Sequence, residues 1–211
     1  MFEPPPGYED LLADAEAHPG VSEFEAWTVP GVGLVSARRP MPDAVALLAM
    51  ASNSVLDAPS RIDYMMRFIH VHVSEADVER VLFDMMAGDL PANAMDRMVR
   101  SIVTWGTARP YVAVVSLAVM AAHHWRTIRQ KLLMAGVTDP MGLGSMHRIL
   151  DAAEALAVES ATGSEQPQRE LESLYRRLYG PSPDDLDPVP SGFQPDEVEA
   201  SFDAFARAAA G

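Results

Sequence analysis

The side chains of this sequence most able to do chemistry are six histidines, thirty acidic residues and a small basic cluster. His70 and His72 stand two apart, a spacing that turns their rings to different sides of a helix. His123 and His124 are adjacent, about 100° apart on a helix. Two imidazoles share an ion on one helix when they are four apart, as in the HExxH pattern, which does not occur here. With no cysteine, thiolate chemistry, disulfides and cysteine-ligated zinc are excluded. There is no GxSxG elbow and no SxxK with its supporting motifs. GVGLVS at 31–36 and GLGS at 142–145 carry glycines, but they lack the P-loop lysine and the Rossmann spacing. Asp184 and Asp185 lie in a proline-rich stretch where nothing would hold paired carboxylates in register. These residues predict no catalytic site, no metal and no cofactor.

Arg126, Arg129 and Lys131 form the one cluster suited to a phosphate backbone. Arg126 and Arg129, three apart, share a helix face. The competing reading, that they neutralise a helix C-terminus and pair with acidic segments, is favoured by the charge around them. The chain carries −14 overall: −7 over residues 1–60, +2 over 61–150 and −9 over 151–211. Such a surface repels nucleic acid, so neither DNA nor RNA is an expected partner.

The element that must position most of these groups runs from Trp105 to Gly136. It holds two of the three tryptophans, the His123–His124 pair and the arginines around an apolar segment, Tyr111 to Ala122, interrupted only by Ser116. Crossing a bilayer takes about 20 apolar residues, so this segment predicts a buried central helix and no membrane span. Pro110 suits its first turn and Gly136 its C-terminal cap. His124 is expected to pack beside Leu117, Met120 and Ile128.

Around it the pattern is mostly helical. After a proline-rich start without a secretory signal, Tyr8 to Ala17 reads as a short helix. EAWTV-PGVG-LVSA then reads as a β-hairpin, which must pack on helices or on a partner to be stable. Pro42 to about Ser52 is the next helix, with Val45, Leu48 and Ala49 on one face. Ser60, with Asp63 three residues on, is the expected cap of a helix striped by Ile62, Met65, Met66, Ile69 and Val73. Ser74 and Asp77 cap a helix striped by Val78, Val81, Leu82, Met85 and Met86 and stopped by Gly88. Pro91 restarts a helix carrying Met95, Met98, Val99 and Ile102. Ser145 caps another with Ile149, Leu150, Ala153 and Leu156, Ala161–Pro167 is a loop, and Leu171–Tyr179 is a short helix. The proline- and aspartate-rich 180–192 cannot form regular structure. From Pro195 a last amphipathic helix places Val198, Phe202, Phe205 and Ala209 on one side.

The expected fold is therefore mainly α: a compact helical bundle with a small N-terminal β-hairpin and a C-terminal helix after a Pro/Asp-rich linker. The expected organisation is an N-terminal segment (1–40), a helical domain (41–179), and a linker with its helix (180–211). The thirteen methionines fall largely on helical stripes. Core packing is their default role, yet methionine also lines adaptable grooves that accept varied apolar helices. Trp105, Arg109, Trp125, Arg126 and Arg129 are the large side chains most suited to partner contact, with Phe202 and Phe205 on the last helix. Burial of both tryptophans in the core is the expected outcome for that pair.

The strings AWTVPGVG, ALLAMASN, TWGTARPYVAVVSLA, HHWRTIRQKL, SLYRRLYGP and PSGFQPDEVEASFDAFARAA resemble the tail assembly chaperones of long-tailed phages infecting actinobacteria. The resemblance spans about Phe24 to Ala210 and transfers an activity class with no active site. It implies a non-catalytic protein that binds the tape-measure protein, keeps it soluble and promotes tail-tube polymerisation around it. The tail-tube protein and a second copy of the chain are the further partners. It also implies action in the host cytoplasm during infection, absence from the mature virion, and a shorter product of a programmed ribosomal frameshift. The alternatives are a structural tail protein retained in the virion and a helical adaptor or regulator.

Overall fold

Two helices apolar on nearly every side sit at the centre of the helical unit, α2 (Ala44–Ala51) and α6 (Tyr111–His123). A helix without a polar face must be enclosed by others. Both are rich in alanine, so their backbones approach closely, and each packs on the other. Seven further helices surround them among the described residues: α1 (Pro6–Ala17), α3 (Ala58–His72), α4 (Glu75–Ala87), α5 (Ala94–Val103), α7 (Trp125–Met134), α8 (Met146–Thr162) and α9 (Pro167–Tyr179). Helices α1, α5, α7, α8 and α9 lie against α6, whereas α3 lies against α2. The fold is mainly α with one two-stranded sheet, as the sequence predicts.

The computed structural model describes residues 6–20 and 22–180. Its elements belong to one unit, Met1–Tyr179; the second unit, Gly180–Gly211, falls outside the described residues except for Gly180. The linker and final helix expected there, with Phe202 and Phe205, lie outside the described residues. No described helix is long and apolar enough to cross a membrane.

Strands β1 (Glu25–Val29) and β2 (Gly33–Ala37) pair antiparallel, with Trp27 opposite Val35 and Ala26 opposite Ser36. Gly31 in the turn has φ +74°, and the guanidinium of Arg97 fills the place a Cβ would need. Any other residue would be strained there, and Arg97 would have to swing aside. The hairpin is fastened to the junction of α3 and α4. Arg38 N–H donates to the His72 carbonyl at 2.9 Å, and Ser74 N–H donates to the Ser36 carbonyl at 2.9 Å. At the other end of the unit, Gly7 of α1 lies where a Cβ would meet the Ala122 carbonyl oxygen at 2.2 Å. That close approach seats α1 on the end of α6.

Five local expectations are corrected. The long helix through Trp105–Gly136 is broken: His124 leaves helical geometry at φ −112°, ψ 20°, separating α6 from α7. The turn drives Trp125 into the core and leaves His124 exposed, so His124 does not pack in the interior as predicted. The cap of α3 is Asp57, whose carboxylate accepts the Ser60 N–H at 2.8 Å, in place of Ser60 itself. Pro59 lies within the first turn, where a missing N–H costs nothing, so the helix begins earlier than the Ser60 signal suggests. The stripe on α4 is also rotated: Val78 and Val81 are buried, while Leu82 is 39% and Met86 82% exposed. Helix α8 continues to Thr162 and α9 begins at Pro167, leaving a shorter loop than the composition suggested.

Candidate protein-binding groove

Helix α3 places Ile62, Met65, Met66 and Ile69 at i, i+3, i+4 and i+7, on one face. Helix α5 brings Met95, Asp96 and Val99 opposite, and the two sets line an apolar groove of about 200 Å³. Ile69 and Val99 are buried at its floor, Met65, Met66 and Met95 are half-buried along it, and Ile62 is 63% exposed at its lip. Its one polar residue, Asp96, is turned to Arg100 at 2.8 Å on the same helix. Small-molecule clefts run to about 300–1,000 Å³ with a few convergent polar groups. A smaller groove walled by three methionines suits protruding apolar side chains of another protein, because thioether chains re-pack around different shapes. Helix α4, packed on both α3 and α5, exposes Leu82, Phe83 (66%) and Met86 as a second apolar band. A roomier cavity, about 420 Å³ between α6, α7, α8 and α9, exposes apolar surface from Met120, Leu156 and Leu174 but mixes Thr127, Ser160, Glu170 and Arg177 into its lining, so it is far more polar than the methionine groove.

The ends of the groove helices are held by polar contacts that local sequence only partly announces. Ser74 caps α4, accepting the Asp77 N–H, and its hydroxyl donates to the Asp77 carboxylate at 2.7 Å. The same carboxylate accepts the Ser36 N–H at 2.8 Å and pairs with Arg80 at 3.1 Å. Burial alone would raise the Asp77 pKa, but the Ser36, Ser74 and Arg80 donors outweigh it and hold the carboxyl below its usual value. His72 is buried at the end of α3, its Nδ1 2.7 Å from the Phe68 carbonyl and its ring 4.2 Å from that of Phe68. Burial, with Arg38 adding to it, lowers its pKa to about 4 against the opposing pull of the Phe68 carbonyl. His70, two residues before it, is exposed, so the two rings diverge as their spacing predicts. Among the described residues no three His, Asp or Glu side chains converge as a metal site would need.

The side chains singled out in the sequence divide into two places and do not share one surface. Trp125, Arg126 and Arg129 close α7 onto α1. The buried indole of Trp125 donates to Asp14 at 2.7 Å, Arg129 pairs with the same carboxylate at 3.0 Å, and Arg126 pairs with Asp10. Trp105 and Arg109 lie in the bend before α6. Trp105 is buried and stacks on Trp27, and its carbonyl is 3.0 Å from Nε2 of His147. The Arg109 guanidinium, half-buried, donates to Asp151 at 2.7 Å and to Glu154, tying the bend to α8. Tyr179 donates to the other Glu154 oxygen at 2.6 Å, adding α9 to the network. The Glu154 and Asp151 carboxylates raise the Arg109 pKa despite partial burial. Trp27 is the tryptophan that sequence reasoning passed over. The exposed Phe83 had a signal of its own, since it falls off the core stripe of α4.

A family model described as phage tail assembly chaperone protein matches residues 1–110. That is just over half of the chain and includes every groove residue. The chain belongs to the phage tail assembly chaperone family. Membership carries a role in phage tail assembly and implies a non-catalytic protein. A second model, described as a family of unknown function, matches residues 120–211. No curated protein and no solved structure matches the chain. The interval between the two family matches falls within α6, so helices from both matched segments pack on one central helix.

Proposed function

We propose that this member of the tail assembly chaperone family binds the tape-measure protein of its phage, keeps that chain soluble, and releases it to the tail tube growing around it. The observation that carries the reading is the position of the methionine groove. Ile62, Met65, Met66, Ile69, Met95 and Val99 all lie inside the residues matched to the chaperone family. A long helical partner presents apolar side chains at i, i+3, i+4 and i+7, and a groove between two helices receives such a stripe. Methionine walls let one groove accept many non-identical stripes along the same partner. The acidic surface, −14 over the chain, keeps a crowded complex in solution. In this reading the protein works in the cytoplasm of an infected actinobacterium and leaves before the virion is complete. The tail-tube protein is its second partner.

The test is co-expression with the tape-measure protein of the same genome, followed by fractionation and pulldown. Transfer of the tape measure from the pellet to the soluble fraction, with co-purification, supports the proposal. An insoluble tape measure beside a chain that purifies alone would sink it. Stoichiometric recovery of the chain in purified particles would favour a retained tail protein instead.

A further inference from the structure

The two edges of the hairpin are treated differently. Along β2 the outward-facing main chain is covered: Ser36 N–H donates to Asp77, the Ser36 carbonyl accepts from Ser74, and the Leu34 carbonyl accepts from Arg80 at 3.0 Å. In an antiparallel pair, directly opposed residues both face inward to the ladder or both face outward. Ala26 lies opposite Ser36 and Thr28 opposite Leu34, so these two residues of β1 also turn their N–H and C=O groups away from the hairpin. Both are exposed, and among the described residues no hydrogen bond from outside the hairpin reaches their main chain. The strand is short and opens on a charged residue, Glu25, but its middle, Ala26-Trp27-Thr28, holds no lysine, proline or other charge to block pairing.

We propose that this edge pairs with the same edge of a second copy, β1 antiparallel to β1 about a twofold axis at Trp27, to make a continuous four-stranded sheet. The pattern of free groups is self-complementary. With Trp27 opposite its own mate, Ala26 of each copy faces Thr28 of the other, and the two outward-facing residues exchange both of their main-chain hydrogen bonds. Local charge permits it. Residues 22–39 hold two glutamates and two arginines and so carry no net charge, in a chain of −14 overall. At the hydrogen-bonded positions of the seam the side chains are alanine and threonine, small enough for two strands to approach, while Trp27 faces its own mate on the inner face. Trp27, Val29 and Val35 keep their positions on the inner face, so neither hairpin need rearrange. Five residues a side make a small interface, and the association is therefore weak and concentration-dependent. It stands independently of what fills the methionine groove.

Sedimentation velocity of the full chain over a wide concentration range is the test, with Thr28→Pro and Ala26→Lys as edge variants. Proline at 28 removes an outward N–H that the hairpin does not use, and lysine at 26 places like charges across the seam. The expected result is a reversible dimer whose association constant falls at least tenfold in both variants, with circular dichroism unchanged. The chain has no cysteine, so Ala26→Cys/Thr28→Cys adds a register-specific readout. Cα atoms about 5.5 Å apart in such a pair suit a disulfide, and oxidation should yield a covalent dimer. A chain that stays monomeric at every concentration would overturn the proposal, as would a dimer unaffected by both edge variants.

Discussion

The indole of Trp27 stacks on that of Trp105, ring centroids 3.9 Å apart and planes 17° from parallel. Trp27 comes from the hairpin and Trp105 from the bend between α5 and α6. Trp27 also donates its indole N–H to the Ser101 hydroxyl at 2.9 Å, and Arg39 lies over the Trp105 ring at 5.3 Å. An isolated hairpin is marginal in water, and this stack fixes one strand of it to α5 and the bend while main-chain bonds fix the other to the α3–α4 junction.

Trp27→Ala should therefore destabilise the unit by about 3 kcal/mol, the low end of the range for aromatic truncation, because the ring is only half-buried. Trp27→Phe keeps a stacked ring and loses one hydrogen bond, for about 1 kcal/mol. Urea unfolding of both variants, followed by circular dichroism, measures the difference. Equal losses would mean that the hydrogen bond, and not the stack, holds the hairpin.

His72 predicts how stability depends on pH. In the unfolded chain it takes up a proton near pH 6.5, but in the folded protein only near pH 4. Between those values the unfolded state binds more protons, so folding stability declines as pH falls through this window, by about 3 kcal/mol in total from this group. His147, its pKa lowered by burial and with Nδ1 unpartnered, pushes in the same direction. Denaturation curves at half-unit pH steps from 7 to 4 should show the decline. His72→Leu should flatten it.

Arg109 holds Asp151 and Glu154 of α8, and through Glu154 it meets Tyr179 of α9. Arg109→Ala leaves the half-buried Glu154 carboxylate with Tyr179 as its remaining donor and should cost about 1–3 kcal/mol. Arg109→Lys should recover only part of this, because an ammonium cannot match the planar, two-pronged contact. Protease sensitivity near α9 and thermal melting would report it. A neutral Arg109→Ala would remove the network from any account of how α9 is held.

Ile62 gives the cleanest probe of the groove. At 63% exposure, Ile62→Asp should change stability by no more than about 0.5 kcal/mol. Placed at an apolar lip, the carboxylate should reduce tape-measure solubilisation at least tenfold in the co-expression assay. Met66→Glu should do the same from inside the groove, with some loss of stability because Met66 is half-buried. Retained solubilisation in both would move the binding surface elsewhere.

Much of the architecture is legible from residue order. The period of apolar residues marks the helices, Ser74 and Ser145 announce their caps, and Gly88 ends α4 in a left-handed turn at φ +84°. The EAWTV-PGVG-LVSA pattern gives the hairpin. These features follow from contacts within a few residues, so local sequence carries them. Membership of the chaperone family is also visible in strings such as AWTVPGVG and ALLAMASN, which lie within the residues its model matches, although no catalytic-type motif announces it.

Tertiary structure decided the rest, because each outcome turns on residues far apart in the chain. The break at His124 is set by what Trp125, Arg126 and Arg129 find on α1, more than a hundred residues away. Which of the stripe residues are core and which are surface depends on where α4 lies against α5, and so Val81 is buried while Met86 is not. A methionine stripe reads alike whether it faces a core or a groove. Only the packing of α3 beside α5 leaves Met65, Met66 and Met95 half open, since burial is a property of neighbours and not of the residue that is buried.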